Sequence, residues 1–255
     1  IGISQMLGGV MAGAAVFLAT RLLGDDPFPI GFGVVFIVAA LVLGVAYGML
    51  LLLREPPSPS IERDPKPIWR AGSRIPRLLR EDASFRSLVV ARLLIGYGMT
   101  AFGFFAVFAI RRFDVGLEQI GLLTTILLIT QTAANLGGGF LNDRIGPIWL
   151  AAAGGVVALV AALLAATALD PVAFFPIFVC VGLSQGLFAI ADFTLVLDAG
   201  PTERMTTYLA TYNVAIAPLL LPAALAAGFL ADVAGFRPMF ITSGAFALAG
   251  IALAN

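Results

Sequence analysis

Asp192 is the residue that most invites a chemical role. It stands six residues before Asp198 in an apolar run, so helix rise sets it roughly 9 Å inside a membrane. A charge at mid-membrane costs roughly 2.5–3.5 kcal/mol even on a lenient insertion scale, and is kept where it serves a purpose. Here that purpose is either to carry a proton in a coupled cycle or to hydrogen-bond a neighbouring helix end. At 100° per residue, Gln185 and Ala189 share its face. Arg92, Gly96, Thr100 and Gly103 form a second such face, and Thr124, Leu128, Gln131 and Asn135 a third. Arg92 can bind an anionic substrate group, pair with Asp192, or snorkel to the headgroups. Its place near the start of its run favours snorkelling. Gln131, Asn135 and Gln185 can hydrogen-bond a solute or join helices, and Asn135, beside Gly137-Gly138-Gly139, favours the second. Tyr97, Tyr208, Tyr212 and Asn213 either line a cavity or, for the tyrosines, anchor helix ends at the interface.

The elements that carry these groups follow from composition. Of 255 residues, 60% are apolar and 12% charged, against about 45–50% and about 25% in soluble domains. Residues 54–86 hold 13 of the 30 charges, so the rest of the chain is poorer still. A bilayer core of about 30 Å needs roughly 20 apolar residues in helix. Eight runs qualify: 4–23, 30–53, 87–110, 118–141, 148–168, 172–197, 206–230 and 238–255. Backbone groups cannot face lipid unpaired, so each is helical, and the short alternating segments of a barrel are absent. The expected fold is an all-α polytopic membrane protein with eight transmembrane helices.

Lys and Arg near the helix ends set orientation. With residues 54–86 in the cytoplasm, ten basic residues lie inside and four outside (Arg21, Arg111, Arg112 and Arg237). The loop opens with Pro56, Pro57, Pro59, Pro65 and Pro67. Ile68, Trp69, Ile75, Leu78 and Leu79 then mix with Arg70, Arg74, Arg77 and Arg80. That pattern suits a basic segment lying on an anionic leaflet, or simply a charge cluster that fixes topology. The chain divides into two spans (1–53), the loop (54–86) and six spans (87–255).

Two segments repeat. Gly139-Phe140-Leu141-Asn142-Asp143-Arg144-Ile145-Gly146 and Gly228-Phe229-Leu230-Ala231-Asp232-Val233-Ala234-Gly235 share G-F-L-x-D-x-x-G at a displacement of 89 residues. Three spans separate the copies, so they face opposite sides, as in an inverted three-helix repeat. The runs at 30–53, 148–168 and 238–255 hold almost nothing polar, so every third helix is expected to face lipid all round. The polar faces of the others then share a protein or water interior.

Several chemistries drop out. Zero formal net charge and no basic tail leave no electrostatic footprint for nucleic acid. The absence of His removes His-assisted nucleophiles and His-ligated metals, and no cofactor is called for. Cys180 is the sole cysteine, and no phosphate-binding glycine loop is present. An intramembrane or lipid-modifying enzyme is the competing reading. It needs a reactive cluster, and the adjacent acids Asp25-Asp26 have no partner at metal-binding spacing. The opening residue, Ile1, with no charged segment before the first run, reads as an internal cut rather than a signal peptide.

Gly139-x-Leu141 with Asn142-Asp143-Arg144-Ile145-Gly146 resembles the G-x-L-x-D-R-x-G turn of the major facilitator superfamily. The stretch Gly200-Pro201-Thr202-Glu203-Arg204, followed by Gly228 through Gly235, is similar to the last third of such permeases. The basic residues that usually follow the second glycine are replaced by Pro147 and Ile148. The resemblance implies a twelve-helix carrier in the cell membrane, with these spans as helices five to twelve and the last six as one half. The first four helices would be absent, leaving a fragment unable to transport normally. It also implies alternating access for a small-molecule substrate, an ion or substrate gradient as the energy source with protons as a candidate ion, and a monomer when complete. Asp143, Arg144, Asp198, Glu203 and Arg204 would form the cytoplasmic gate, and the predominantly apolar cavity suits efflux of an amphipathic compound.

Overall fold

A computed structural model describes residues 30–52, 83–198 and 205–254, with Gly8, Met11, Ala14, Ala15 and Arg80 besides; at 30, 32, 84, 117, 197, 198, 205–211 and 254 it describes the helical backbone only. The described residues form α1 (Ile30–Leu51), α2 (Ala83–Met99), α3 (Ala101–Phe113), α4 (Leu117–Ile145), α5 (Pro147–Thr167), a 3-10 turn (Pro171–Ala173), α6 (Phe174–Asp198), α7 (Met205–Val233) and α8 (Phe236–Ala254). Seven of the expected spans are long and apolar enough to cross a membrane. The first expected span, 4–23, and the loop 54–86 fall almost wholly outside the described residues.

One expected span carries a local turn. The run 87–110 lies within a single membrane-length stretch, Phe85–Phe113, in which a turn at Thr100 separates α2 from α3. The Thr100 amide and hydroxyl both reach the Tyr97 carbonyl, at 3.3 and 2.6 Å, which tightens the chain away from α-helical bonding. Gly96, Gly98 and Gly103 flank the turn and add little helix propensity of their own.

The helices alternate in direction, giving two faces. Ala83, Ile145, Pro147, Asp198, Met205 and Ala254 lie at one face, called proximal because segment 54–86 leads into it. Phe113, Leu117, Thr167, Phe174, Val233 and Phe236 lie at the other, called distal. Helix α6 packs most closely on α4 and α5; α8 packs on α2 and α5, and α2 also on α7. Small residues make these approaches possible. A Cβ on Gly182 would run into the Leu127 carbonyl and lie 2.9 Å from Thr130 Cβ. One on Gly186 would lie 2.6 Å from Ala134 Cβ and 2.7 Å from the Gln131 carbonyl. The close approach of α4 and α6 thus depends on glycines of α6. Nothing lies within 4 Å of a Cβ built on Gly137 or Gly139.

The expectation that every third helix faces lipid all round fails for α5 and α8; of the described residues, the membrane-length window of α1 has none buried. Helix α5 buries Leu150, Ala151, Gly154, Gly155, Ala158, Ala161, Ala162, Ala165 and Ala166. Helix α8 buries Met239, Phe240, Ser243 and Ala247. Low polarity was read as lipid exposure, but helices in a membrane associate by close packing of small residues. The polar contacts follow the same seams, as where Ser184 Oγ donates to the Gly154 carbonyl at 2.8 Å.

At the distal face, Phe105, Phe108, Phe113, Phe174, Phe236 and Phe240 form one aromatic cluster. Phe108 alone stacks or tilts against four of the other rings, at centroid distances of 5.3–5.9 Å. Arg111 Nη1 and Asp232 Oδ1 lie 3.8 Å apart on its exposed rim. Both repeated turns end on a glycine of positive φ, 85° at Gly146 and 92° at Gly235, and a helix restarts at the next residue in each.

Candidate functional site

Three helices bring charge together near the proximal face. Arg92 is nine residues into α2, Asp192 six residues from the end of α6, and Tyr212 seven residues into α7. Because α2 and α7 start where α6 ends, these offsets place the three at similar depth. Arg92 Nε lies 2.9 Å from Asp192 Oδ1, and the Tyr212 hydroxyl donates a short hydrogen bond to the same oxygen. Arg92 therefore turns inward and does not snorkel. Its Nε is buried without a hydrogen-bond partner, so the contact with Asp192 is an ion pair and not an aligned hydrogen bond. About a quarter of each charged side chain remains exposed, 25% for Arg92 and 27% for Asp192, whereas Tyr212 is 3% exposed.

The setting is apolar. Phe85, Val89, Val196 and Ile216 are buried with Tyr212, and Leu88, Leu93 and Leu220 pack against them. A charge here is screened less than at a surface, which strengthens the pairing and raises the penalty for losing either member. Gly96, one turn beyond Arg92, lets Leu220 close over this cluster, since a Cβ there would lie 2.5 Å from Leu220 Cδ2 and 3.6 Å from Arg92 Nη1.

The other expected pathway residues divide between two seams. Tyr97 donates to the Leu219 carbonyl at 3.1 Å and stacks on Phe246 at 5.5 Å. With Thr100, it lines a small apolar cleft of about 70 Å³ against α7 and α8, together with Thr242 and Ser243. Asn135 is 6% exposed between α4 and α6, its Oδ1 without a partner, and its backbone nitrogen lies beside Gly186. Asn142 Nδ2 spans the same seam to Thr194 Oγ1 at 3.4 Å. Gln131 and Gln185 are half-buried, and Gln131 meets Gly182 and Gly186 through its backbone. Thr124 spends its hydroxyl hydrogen on the Ile120 carbonyl at 2.8 Å. Asn213 is exposed on α7. None of these contacts joins the Arg92–Asp192–Tyr212 cluster.

The expected gate residues are only partly in view. Asp143 and Arg144 are exposed at the proximal end of α4. Glu203, Arg204 and the side chains of Asp198 and Tyr208 lie outside the described residues. Sequence reasoning missed the aromatic cluster, although Phe105 and Phe108, and Phe236 and Phe240, stand at the spacings that share a helix face.

No curated protein matches the chain. A family model described as Major Facilitator Superfamily matches residues 1–219 and again residues 88–254. Carriers of that family are secondary transporters that move small molecules through a membrane, in agreement with the seven membrane-length helices found here. This chain belongs to the Major Facilitator Superfamily.

Proposed function

We propose that the chain is part of a secondary carrier that moves a small amphipathic solute outward by alternating access, with Asp192 as the proton-coupling group. The observation that carries this reading is the convergence of Arg92, Asp192 and Tyr212 from three helices. A carboxylate held by a cation and a phenol across helix boundaries ties its protonation to whether those helices stay together. In this reading Arg92, Tyr97, Thr100, Thr124, Gln131, Asn135, Gln185, Tyr212 and Asn213 flank the solute path. Asp143, Arg144, Asp198, Glu203 and Arg204 latch the gate on the proximal side. That side is the cytoplasmic one by its Lys and Arg, and residues 54–86 link the six-helix unit 87–255 to the two spans before it. Nothing observed favours the intramembrane enzyme.

An inverted three-helix repeat would make such a unit able to rock, and three features support one. Gly146 and Gly235 occupy the same motif position, each with a positive φ. Gly155 packs on Ile251 while Gly244 packs on Ala162, and each residue of the first pair is displaced by 89 from one of the second. Gly98 packs on Ser243 while Gly154 packs on Leu187, again exchanged by 89. Reciprocal exchange of partners is what a twofold axis produces. Under the same displacement Arg92, Asp192 and Tyr212 map onto Val181, Gly103 and Leu123, so the polar cluster has no counterpart in the other repeat.

The full gene product, purified into liposomes, tests the function. Solute flux should respond to an imposed pH gradient, and Asp192→Asn should abolish that response. Failure to move any solute under any gradient would refute the carrier reading.

A further inference from the structure

The pairing of Arg92 with Asp192 carries an inference about substrate class that rests on the carrier reading. A guanidinium presents five N–H donors in a planar fork that suits a carboxylate taken by both oxygens. Arg92 instead meets Asp192 most closely through Nε and a single oxygen, and that nitrogen is buried without an aligned partner. The oxygen it approaches is also the acceptor for Tyr212. Arg92 is thus paired in charge but poorly satisfied in geometry, and a quarter of its side chain is open. The apolar cluster that includes Tyr212 also holds Phe85, Ile216, Leu93 and Leu220, and Leu220 closes over Gly96 beside the guanidinium.

We propose that Arg92 is the binding residue for an apolar organic monocarboxylate, which takes the place of Asp192 on the guanidinium. Charge balance dictates the rest. Among the described residues the site holds one cation and one anion. A second anion enters with one proton delivered by hydronium from the solution, which leaves water behind; the proton bonds to an Asp192 oxygen and the site stays neutral. Neutralising that carboxylate gives up the hydrogen bond that the Tyr212 hydroxyl donates to its ionised form. Among the described residues, the titratable groups facing Asp192 are Arg92 from α2 and Tyr212 from α7. Helix α5 carries no charged residue, and those of α4 (Glu118, Asp143 and Arg144) lie in its first and last turns. Substrate and Asp192 carboxylate therefore compete for one cation, and substrate and proton enter together.

Titration calorimetry on the full gene product, with benzoate, benzyl alcohol and benzylammonium as probes, tests this. Benzoate should bind at least about tenfold more tightly than its neutral and cationic analogues, a difference of about 1.4 kcal/mol. Asp192→Asn removes the competing anion and should tighten benzoate by about tenfold. Arg92→Gln should abolish its binding. Tyr212→Phe removes a bond that favours the ionised carboxylate, and should tighten benzoate by about threefold; it keeps the test available if Asp192→Asn does not fold. Undetectable benzoate binding, preference for benzylammonium, or unchanged or weaker benzoate binding in both Asp192→Asn and Tyr212→Phe would overturn the proposal. Flux of a neutral or cationic solute under a pH gradient would overturn this substrate class while leaving the carrier itself standing.

Discussion

Arg92 and Asp192 face each other across the boundary between α2 and α6, 2.9 Å apart, and Tyr212 closes on the same carboxylate oxygen from α7. Removing one member strands the other in an apolar setting. Arg92→Gln or Asp192→Asn should each destabilise the fold by about 1–3 kcal/mol. The double variant should cost less than the sum, with a coupling of about 1 kcal/mol or more. Thermal or denaturant unfolding in detergent of all four proteins measures that coupling, and simple additivity would show that the pair contributes nothing.

Glycines at the α4–α6 seam should be far less replaceable than glycines a few residues away. Gly186→Ala forces a methyl against Ala134 Cβ and the Gln131 carbonyl, and should cost about 1–3 kcal/mol. Gly137→Ala and Gly139→Ala meet open space in this bundle and should be neutral, or stabilising by up to about 1 kcal/mol through helix propensity. Melting temperatures of the three variants make the comparison.

The two repeated turns should fail alike. Gly146 has φ 85° and ψ 162°, a region essentially closed to side chains, where strain is about 1–3 kcal/mol. Gly146→Ala and Gly235→Ala should therefore each lower stability, while Gly116→Ala, at φ −67°, should not. Unfolding measurements on the three decide it.

Phe108 should be the most costly single truncation at the distal face. It is 5% exposed and touches four of the five other rings of its cluster. Phe108→Ala should cost about 3–5 kcal/mol, whereas Phe140→Ala, 70% exposed on α4, should change stability little in detergent.

Legibility in the sequence followed the strength of each physical signal. Hydrophobic length located the spans from 30 onward, because the bilayer demands it, and the G-F-L-x-D-x-x-G turns marked where α4 and α7 give way to the next helix. The turn at Thr100 was hidden, because a threonine that bonds its own backbone looks like any polar residue on a stripe. The buried face of α5 was hidden too, since alanine and glycine read as lipid-facing when they are in fact the packing surface. Within the candidate site, Asp192 stood out by charge in an apolar run. The direction of Arg92 did not follow from sequence: snorkelling and pairing need the same residue at the same depth, and only the position of α6 beside α2 separates them. The rings of Phe108, Phe174 and Phe240 come from three helices, and no local pattern could join them.

The account rests on polar flanks that enclose water rather than meet acyl chains. Cysteines placed by Gln131→Cys, Gln185→Cys and Asp192→Cys in a Cys180→Ser background, in the full gene product within its membrane, measure this directly with a membrane-impermeant thiol reagent. Leu163→Cys, 49% exposed on α5, is the lipid-facing control. The three pathway cysteines should react and the control should not. Pathway cysteines that resist the reagent as completely as position 163 would contradict the account.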